Sequence, residues 1–371
     1  MGDGGGGGGL NVVVFPWLAA RGHDVTFIST PRNVARLPPV PAGLFDRVRF
    51  APLPMPLMDG LPEGAESTAD VPPGNDKLIK KACDGLAAPF AAFMAELVPC
   101  AAFLIVQAAA IAFLGPRWAN TKHPRAPLDF TAPPKWLLPP SAMAYRRSEA
   151  RWVVGAFQPN ASGVSDIERM WRTIESCRFT IYRSCDEVET GVLAFLTGLF
   201  RRPAVPAGIL LTPPPDLAAV DGGSSGDRAE TLRWLDEQPP KSVIYVALGS
   251  EAPVTEKNLQ EARRPSRDPS DAPPDLAAVD GGSSGLVARE MAERGVGVEV
   301  AREDDDEGSF GRDAVAAAVR RVMVEDEGKV FGRNARKVNE AVGDQRRQEQ
   351  YIDELVELLR TGVEINDEKY C

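Results

Sequence analysis

The chain has 371 residues, 44% hydrophobic and 25% charged, which is enough apolar material for two domains with cores of their own and too much for a disordered polymer. Its formal charge of -10 argues against a protein that binds a phosphate backbone, because such domains carry a basic excess on one face. Five cysteines with no C-x-x-C pair suit neither a disulfide framework nor a zinc site, and they fit a reducing cytoplasm.

The opening "MGDGGGGGG", residues 1–9, lacks a basic region followed by an apolar core, so it reads as a flexible tail and not as a signal peptide; Gly6 also spoils a myristoylation signal. "NVVVFPW" and "DVTFIST" follow as short, β-branched, apolar runs, the pattern of strands buried on both faces of a parallel sheet. Only six residues, "LAARGH", separate them, whereas parallel neighbours need a crossover of about a dozen or more. "LAARGHD" nevertheless reads as the end of such a helix, with Arg21 in the last turn and Gly22 as the left-handed terminator. Most of a helix is therefore missing from this position.

"VRFAPLP", from Val48 to Pro54, is a further strand. The segment Asp76 to Val98 has helical spacing at Leu78, Ile79, Ala82, Leu86, Phe90 and Phe93, and Pro89 should kink or split it. Leu97 to Leu114 is uncharged and as long as a short membrane span, but Pro99, Gln107 and its many alanines favour a buried strand, "CAAFLIV", running into a core helix, "QAAAIAFL". The Pro- and Gly/Ser-rich stretch at 213–239 reads as a linker between a first domain at 10–212 and a second at 240–371. "SVIYVALGS" then forms a strong buried strand ending in a Gly-Ser turn.

"PPDLAAVDGGSSG" occurs at Pro214 to Gly226 and again, letter for letter, at Pro273 to Gly285. Solenoid repeats diverge and need several copies to bury a core, so a single polar copy reads as a sequence rearrangement. Arg263 to Gly285 has the composition of an irregular loop, and the acidic run Glu303 to Glu307 that of a solvated one. Two amphipathic helices close the chain, one with Val315, Val319 and Val322 on its stripe, the other with Ile352, Leu355, Val356 and Leu359.

These segments together resemble the plant UDP-dependent glycosyltransferases, in the branch with soyasaponin and flavonoid-glycoside rhamnosyl- or glucosyltransferases. The resemblance is carried by "RGHDVTFISTPRN", "KKACDGLAAPF", "VPCAAFL", "YRSCDEVE", "REMAERGVGVEV", "AVRRVMVEDEGKVFGRNARKVNEAV", "YIDELVELLR" and above all "RWLDEQPPKSVIYVALGSE", in the family's order across most of the chain. It implies an α/β, GT-B-like fold of two Rossmann-like domains, both incomplete here. The first would hold a small acceptor alcohol, a flavonoid or terpenoid glycoside, and the second a UDP-sugar, with transfer by inversion and without metal or other cofactor. The expected partners are those two small molecules, not nucleic acid or a membrane, and the expected state is a cytoplasmic monomer.

Family members use a histidine in the helix after the first strand as general base and an aspartate on a later strand to orient it; neither position exists in this sequence. His23 matches the structural histidine of "RGHDVTF" and is a candidate base only by default, while Asp84 falls on a helix and not on that strand. The family's signature box, a tryptophan for uracil followed by a phosphate-binding His-Cys-Gly turn, has no counterpart either, since every tryptophan lies at or before Trp234 and the two histidines are His23 and His123. Of the donor site, Gly249 and Ser250 remain, a strand-ending turn suited to a diphosphate. The sequence thus supports two readings: a glycosyltransferase by lineage, or an inactive remnant that at most binds acceptor-like molecules.

Overall fold

The structure, a computed structural model, describes residues 17–37, 39–72, 75–94, 101–137, 143–210, 233–234, 237–239, 289–301 and 312–361. "NVVVFP", "SVIYVALGS", both copies of the repeat and the acidic run lie outside them, as does most of the linker.

Trp17, expected to end a strand, is instead helical together with 18–20, an outcome that the β-branched run before it in the sequence obscured. The terminator is the one expected. Gly22 adopts φ +87°, its N–H donates to Ala19 O at 3.0 Å, and the N–H of His23 donates to Leu18 O at 3.2 Å, the paired closing bonds of a Schellman motif.

Strand β1, Val25–Ser29, pairs in parallel with β2, Val48–Pro52, from Val25 opposite Val48 to Ser29 opposite Pro52. Between them lies a short helix α1, Pro31–Ala35, with proline in its first turn. The helical segment after Asp76 is split into α2, Asp76–Asp84, and α3, Ala87–Met94. The split falls before Pro89, which leaves the proline in the first turn of α3, where a missing N–H costs no helical bond. Ile79 and Ala82 of α2 are buried as expected. Ala87 to Phe93 of α3 are exposed, Phe90 by 44% and Phe93 by 41%, so the expected apolar stripe stops at the break.

The segment tested against a membrane span is strand β3, Ala101–Leu104, running into helix α4, Ala108–Leu114. No helix among the described residues is long and apolar enough to cross a membrane. After α5, Arg117–Lys122, helices α6, Arg147–Phe157, and α7, Asp166–Ser176, lead to strand β4, Phe179–Tyr182. Ser165 caps α7 by accepting from the N–H of Glu168 at 3.1 Å. Helix α8, Val192–Phe200, leads to β5, Ala204–Pro206. The strands form a second parallel sheet in the order β3-β4-β5.

The described strands thus form two separate parallel sheets, β1-β2 and β3-β4-β5, and the turn at 17–20 packs against residues of both. Ala19 packs with Val25, Val40 and Val48 on one side, and Trp17 packs with Phe103, Leu210 and Ile352 on the other. Within β4 the faces alternate as a strand requires. Tyr182 points to α4, α7 and α8, joining Ile111, Ile174 and Leu196, while Phe179 and Ile181 join Val205 and Leu355 on the opposite face.

Three helices close the described chain: α9, Arg312–Met323, α10, Asp326–Gly343, and α11, Gln345–Thr361. The sequence reading named α9 and α11 but not α10. In α9 the stripe is shifted, for Ala318 is the buried residue and Val322 stays 36% exposed. In α11 Ile352 and Leu355 are buried, Ile352 against Trp17, Phe103 and Leu210, and Leu355 against Phe179, Ile181 and Val205.

A buried carboxylate anchors α4. Glu189, 2% exposed, accepts from the N–H groups of Ala109 at 2.8 Å and Ala108 at 3.3 Å, and from the hydroxyl of Ser184. Negative charge at a helix N-terminus complements both its free N–H groups and its dipole. Glu189→Ala leaves these donors buried without a partner, for an expected loss of about 3 kcal/mol in urea denaturation. Glu189→Gln, which keeps one acceptor oxygen, is expected to lose less.

Candidate functional site

A cavity of about 750 Å³ opens at the carboxyl ends of β1 and β2. That is where ligands settle in open α/β sheets, and the volume falls within the roughly 300–1,000 Å³ of small-molecule sites. Ser29 and Thr30 end β1 in its wall, Leu53 and Met55 follow β2, Cys83, Asp84, Leu86 and Phe90 come from the break between α2 and α3, and Ser162, Val164, Arg169 and Thr173 come from the start of α7.

The wall is tied across by one bidentate ion pair. Arg169 donates to Asp84 through Nε at 2.7 Å and Nη2 at 2.6 Å, and its Nη1 donates to Asp166 at 2.9 Å. Nη2 also reaches the hydroxyl of Ser162. These hydrogen bonds from Arg169 hold the Asp84 carboxyl below its ordinary range, and the same bonds raise Arg169. Such an aspartate is a poor proton acceptor. Glu66, the other acid of the wall, accepts from the N–H groups of Arg32 at 2.6 Å and Asn33 at 3.2 Å, where α1 begins. Desolvation and the neighbouring Asp84 raise the Cys83 thiol, which keeps it protonated and a weak nucleophile at neutral pH.

His23 is not among these residues. It follows the terminator of the helical turn and precedes β1, so the five residues of that strand, about 16 Å at 3.3 Å per residue, separate it from the cavity end. His123 stands at the C-terminus of α5, also off the wall. Asp84 ends α2, on a helix as its sequence context requires, and binds an arginine. Gly249 and Ser250 lie outside the described residues. Sequence reasoning quoted "KKACDGLAAPF" without seeing that it lines a cavity. Arg169 gave no signal beyond its place on an amphipathic stretch.

No family model matches the chain. Among curated proteins it is 30% identical to UDP-glycosyltransferase 91A1 of Arabidopsis thaliana, over 95% of this chain and 97% of that protein. The chain belongs to the plant UDP-glycosyltransferases. It is also 25% identical to soyasaponin III rhamnosyltransferase of Glycine max, over 95% of each. The solved structure of Os79 from O. sativa with UDP matches with a TM-score of 0.60 at 17% identity, over 93% of this chain and 96% of that one. UGT73P12 of Glycyrrhiza uralensis, complexed with glycyrrhetinic acid 3-O-monoglucuronide, matches with a TM-score of 0.62 at 15% identity, over 95% and 92%. The fold of this UDP-glycosyltransferase is therefore the α/β GT-B fold. The alignment with the Arabidopsis protein runs over 461 positions, which the 371 residues here fill only with gaps on their own side.

The Asp84–Arg169 pair makes the wall acid-sensitive. A carboxyl whose folded pKa is depressed stabilises the fold above its unfolded pKa, near 4, and loses that contribution as pH falls through the folded value. Asp84→Asn is expected to melt below the parent protein at about pH 7, by circular dichroism, with the gap narrowing as pH falls below about 4, the unfolded carboxyl value. A gap independent of pH would contradict the assignment.

Proposed function

We propose that this chain transfers a sugar from a UDP-sugar to a hydroxyl of a small plant metabolite, a flavonoid or terpenoid glycoside, with inversion at the anomeric carbon. The observation that carries the reading is the cavity at the carboxyl ends of β1 and β2, half apolar and lined with hydroxyls, in a chain of this family. It serves as the acceptor side. The donor side is assigned from sequence to the turn Gly249-Ser250, whose N–H groups and hydroxyl suit a diphosphate. No metal or other cofactor is required in this scheme, and the protein acts as a cytoplasmic monomer.

The wall's acids favour a second reading. Asp84 is bound by Arg169 and Glu66 by α1, and neither described histidine faces the cavity, so no described residue is free to take the acceptor proton. Absence of a general base lowers turnover by about 10²- to 10⁴-fold. At that limit the cavity binds its acceptor without reaction.

Incubation with UDP-glucose or UDP-rhamnose and a panel of flavonoid and terpenoid glycosides separates the two. The proposal expects slow UDP release matched by product of inverted configuration, reduced a further ~10²-fold in Ser250→Ala, the usual cost of one lost transition-state donor. Acceptor binding with no product above background establishes the second reading instead.

A further inference from the structure

We propose that the cavity selects an acceptor with a carboxylate on an apolar ring skeleton, and that the ammonium of Lys81 receives that carboxylate. This rests on the assignment of the cavity to the acceptor. The charges of the wall are otherwise matched within the fold. Arg169 is taken by Asp84 and Asp166, Arg172 by Glu168 at 2.8 Å, and Glu66 by the first amides of α1. Lys80, the neighbour of Lys81 on α2, donates to Asp166 at 2.7 Å and is not on the wall.

Lys81 lines the cavity and has no hydrogen-bond or ion-pair partner among the described residues. An ammonium offers three donors and no acceptor, so it discriminates an anion from the neutral ester of the same shape. The rest of the wall, with Ile28, Leu53, Met55, Leu86, Phe90 and Val164, suits the apolar body that such a carboxylate would terminate. The cavity therefore pairs a half-apolar lining with one cation that has no partner among the described residues. A neutral flavonoid or terpenoid leaves that cation idle.

The test uses oleanolic acid and its methyl ester as a matched pair, with dissociation constants for the full chain by isothermal titration. Because Lys81 is exposed to solvent, the expected preference of the parent for the acid is modest, about five-fold, and it shrinks as salt is added. Lys81→Met is expected to bind acid and ester alike, and Lys81→Arg to keep the preference. Equal binding of the two by the parent, or an unchanged preference in Lys81→Met, overturns the carboxylate assignment while the cavity remains an acceptor site. If neither compound binds, and Leu53→Trp, which fills the cavity, leaves binding of the neutral glycoside panel unchanged, the acceptor assignment falls as well.

Discussion

A parallel sheet has to be covered on both faces, and here one of the two covers comes from the far end of the chain. Helices α4, α7 and α8 lie against the Tyr182 face of β3-β4-β5. The Phe179 and Ile181 face is covered by α11, through Leu355, and Ile352 of the same helix closes on Trp17 and Leu210. Burial of a Leu or Ile side chain is worth about 1.5–3 kcal/mol, so these two residues supply a substantial share of a domain's net stability. Polar contacts fix the register of the packing. Tyr351 donates to Glu187 at 2.8 Å, Arg347 donates to the same carboxylate at 2.9 Å, and Gln348 accepts from the N–H of Ile209 at 2.8 Å. Gly208, at φ +74°, allows that approach, because a Cβ there would lie 2.7 Å from the Gln348 side-chain oxygen. α11 lies near residue 350, yet these partners all precede residue 211.

The same sheet architecture accounts for the site. β1 and β2 are less covered than the sequence pattern of "DVTFIST" led one to expect, with Val48 their one fully buried residue, and their carboxyl ends meet the break between α2 and α3 to form the cavity. Arg169 then holds α7 to α2 across it. The phenylalanines of α3 stay partly exposed, and the alignment with the Arabidopsis protein is longer than the chain itself.

What was legible in the sequence was local. Val25–Ser29 was readable because a β-branched and aromatic run bounded by turn residues has few alternatives, Ala101–Leu104 because it lies in a short apolar run closed by Gln107, and Gly22 because a helix terminator needs positive φ. The break at Gly85 was announced by Pro89. What was not legible depends on distant partners. Arg125 sits 4.1 Å from the Phe130 ring and 4.9 Å from the Trp136 ring, donates to the carbonyls of Phe113 and Leu114 at the end of α4, and is pulled down to about 10 by burial, yet its local sequence reads as a loop. Glu189 likewise lies in an acidic loop, and only the fold brings it under α4. Phe90 and Phe93 have correct helical spacing, but spacing cannot reveal that they stay more than 40% exposed.

The dependence of the central sheet on α11 is tested most directly by native-state amide hydrogen exchange of the Ile352→Ala, Leu355→Ala double variant. Each truncation of a buried side chain costs about 2–5 kcal/mol. If α11 is the cover of that face, protection of Phe179–Tyr182 falls by about 10²-fold or more, together with that of α11 itself. Loss of protection confined to α11, with β4 exchanging as slowly as in the parent, would contradict the account.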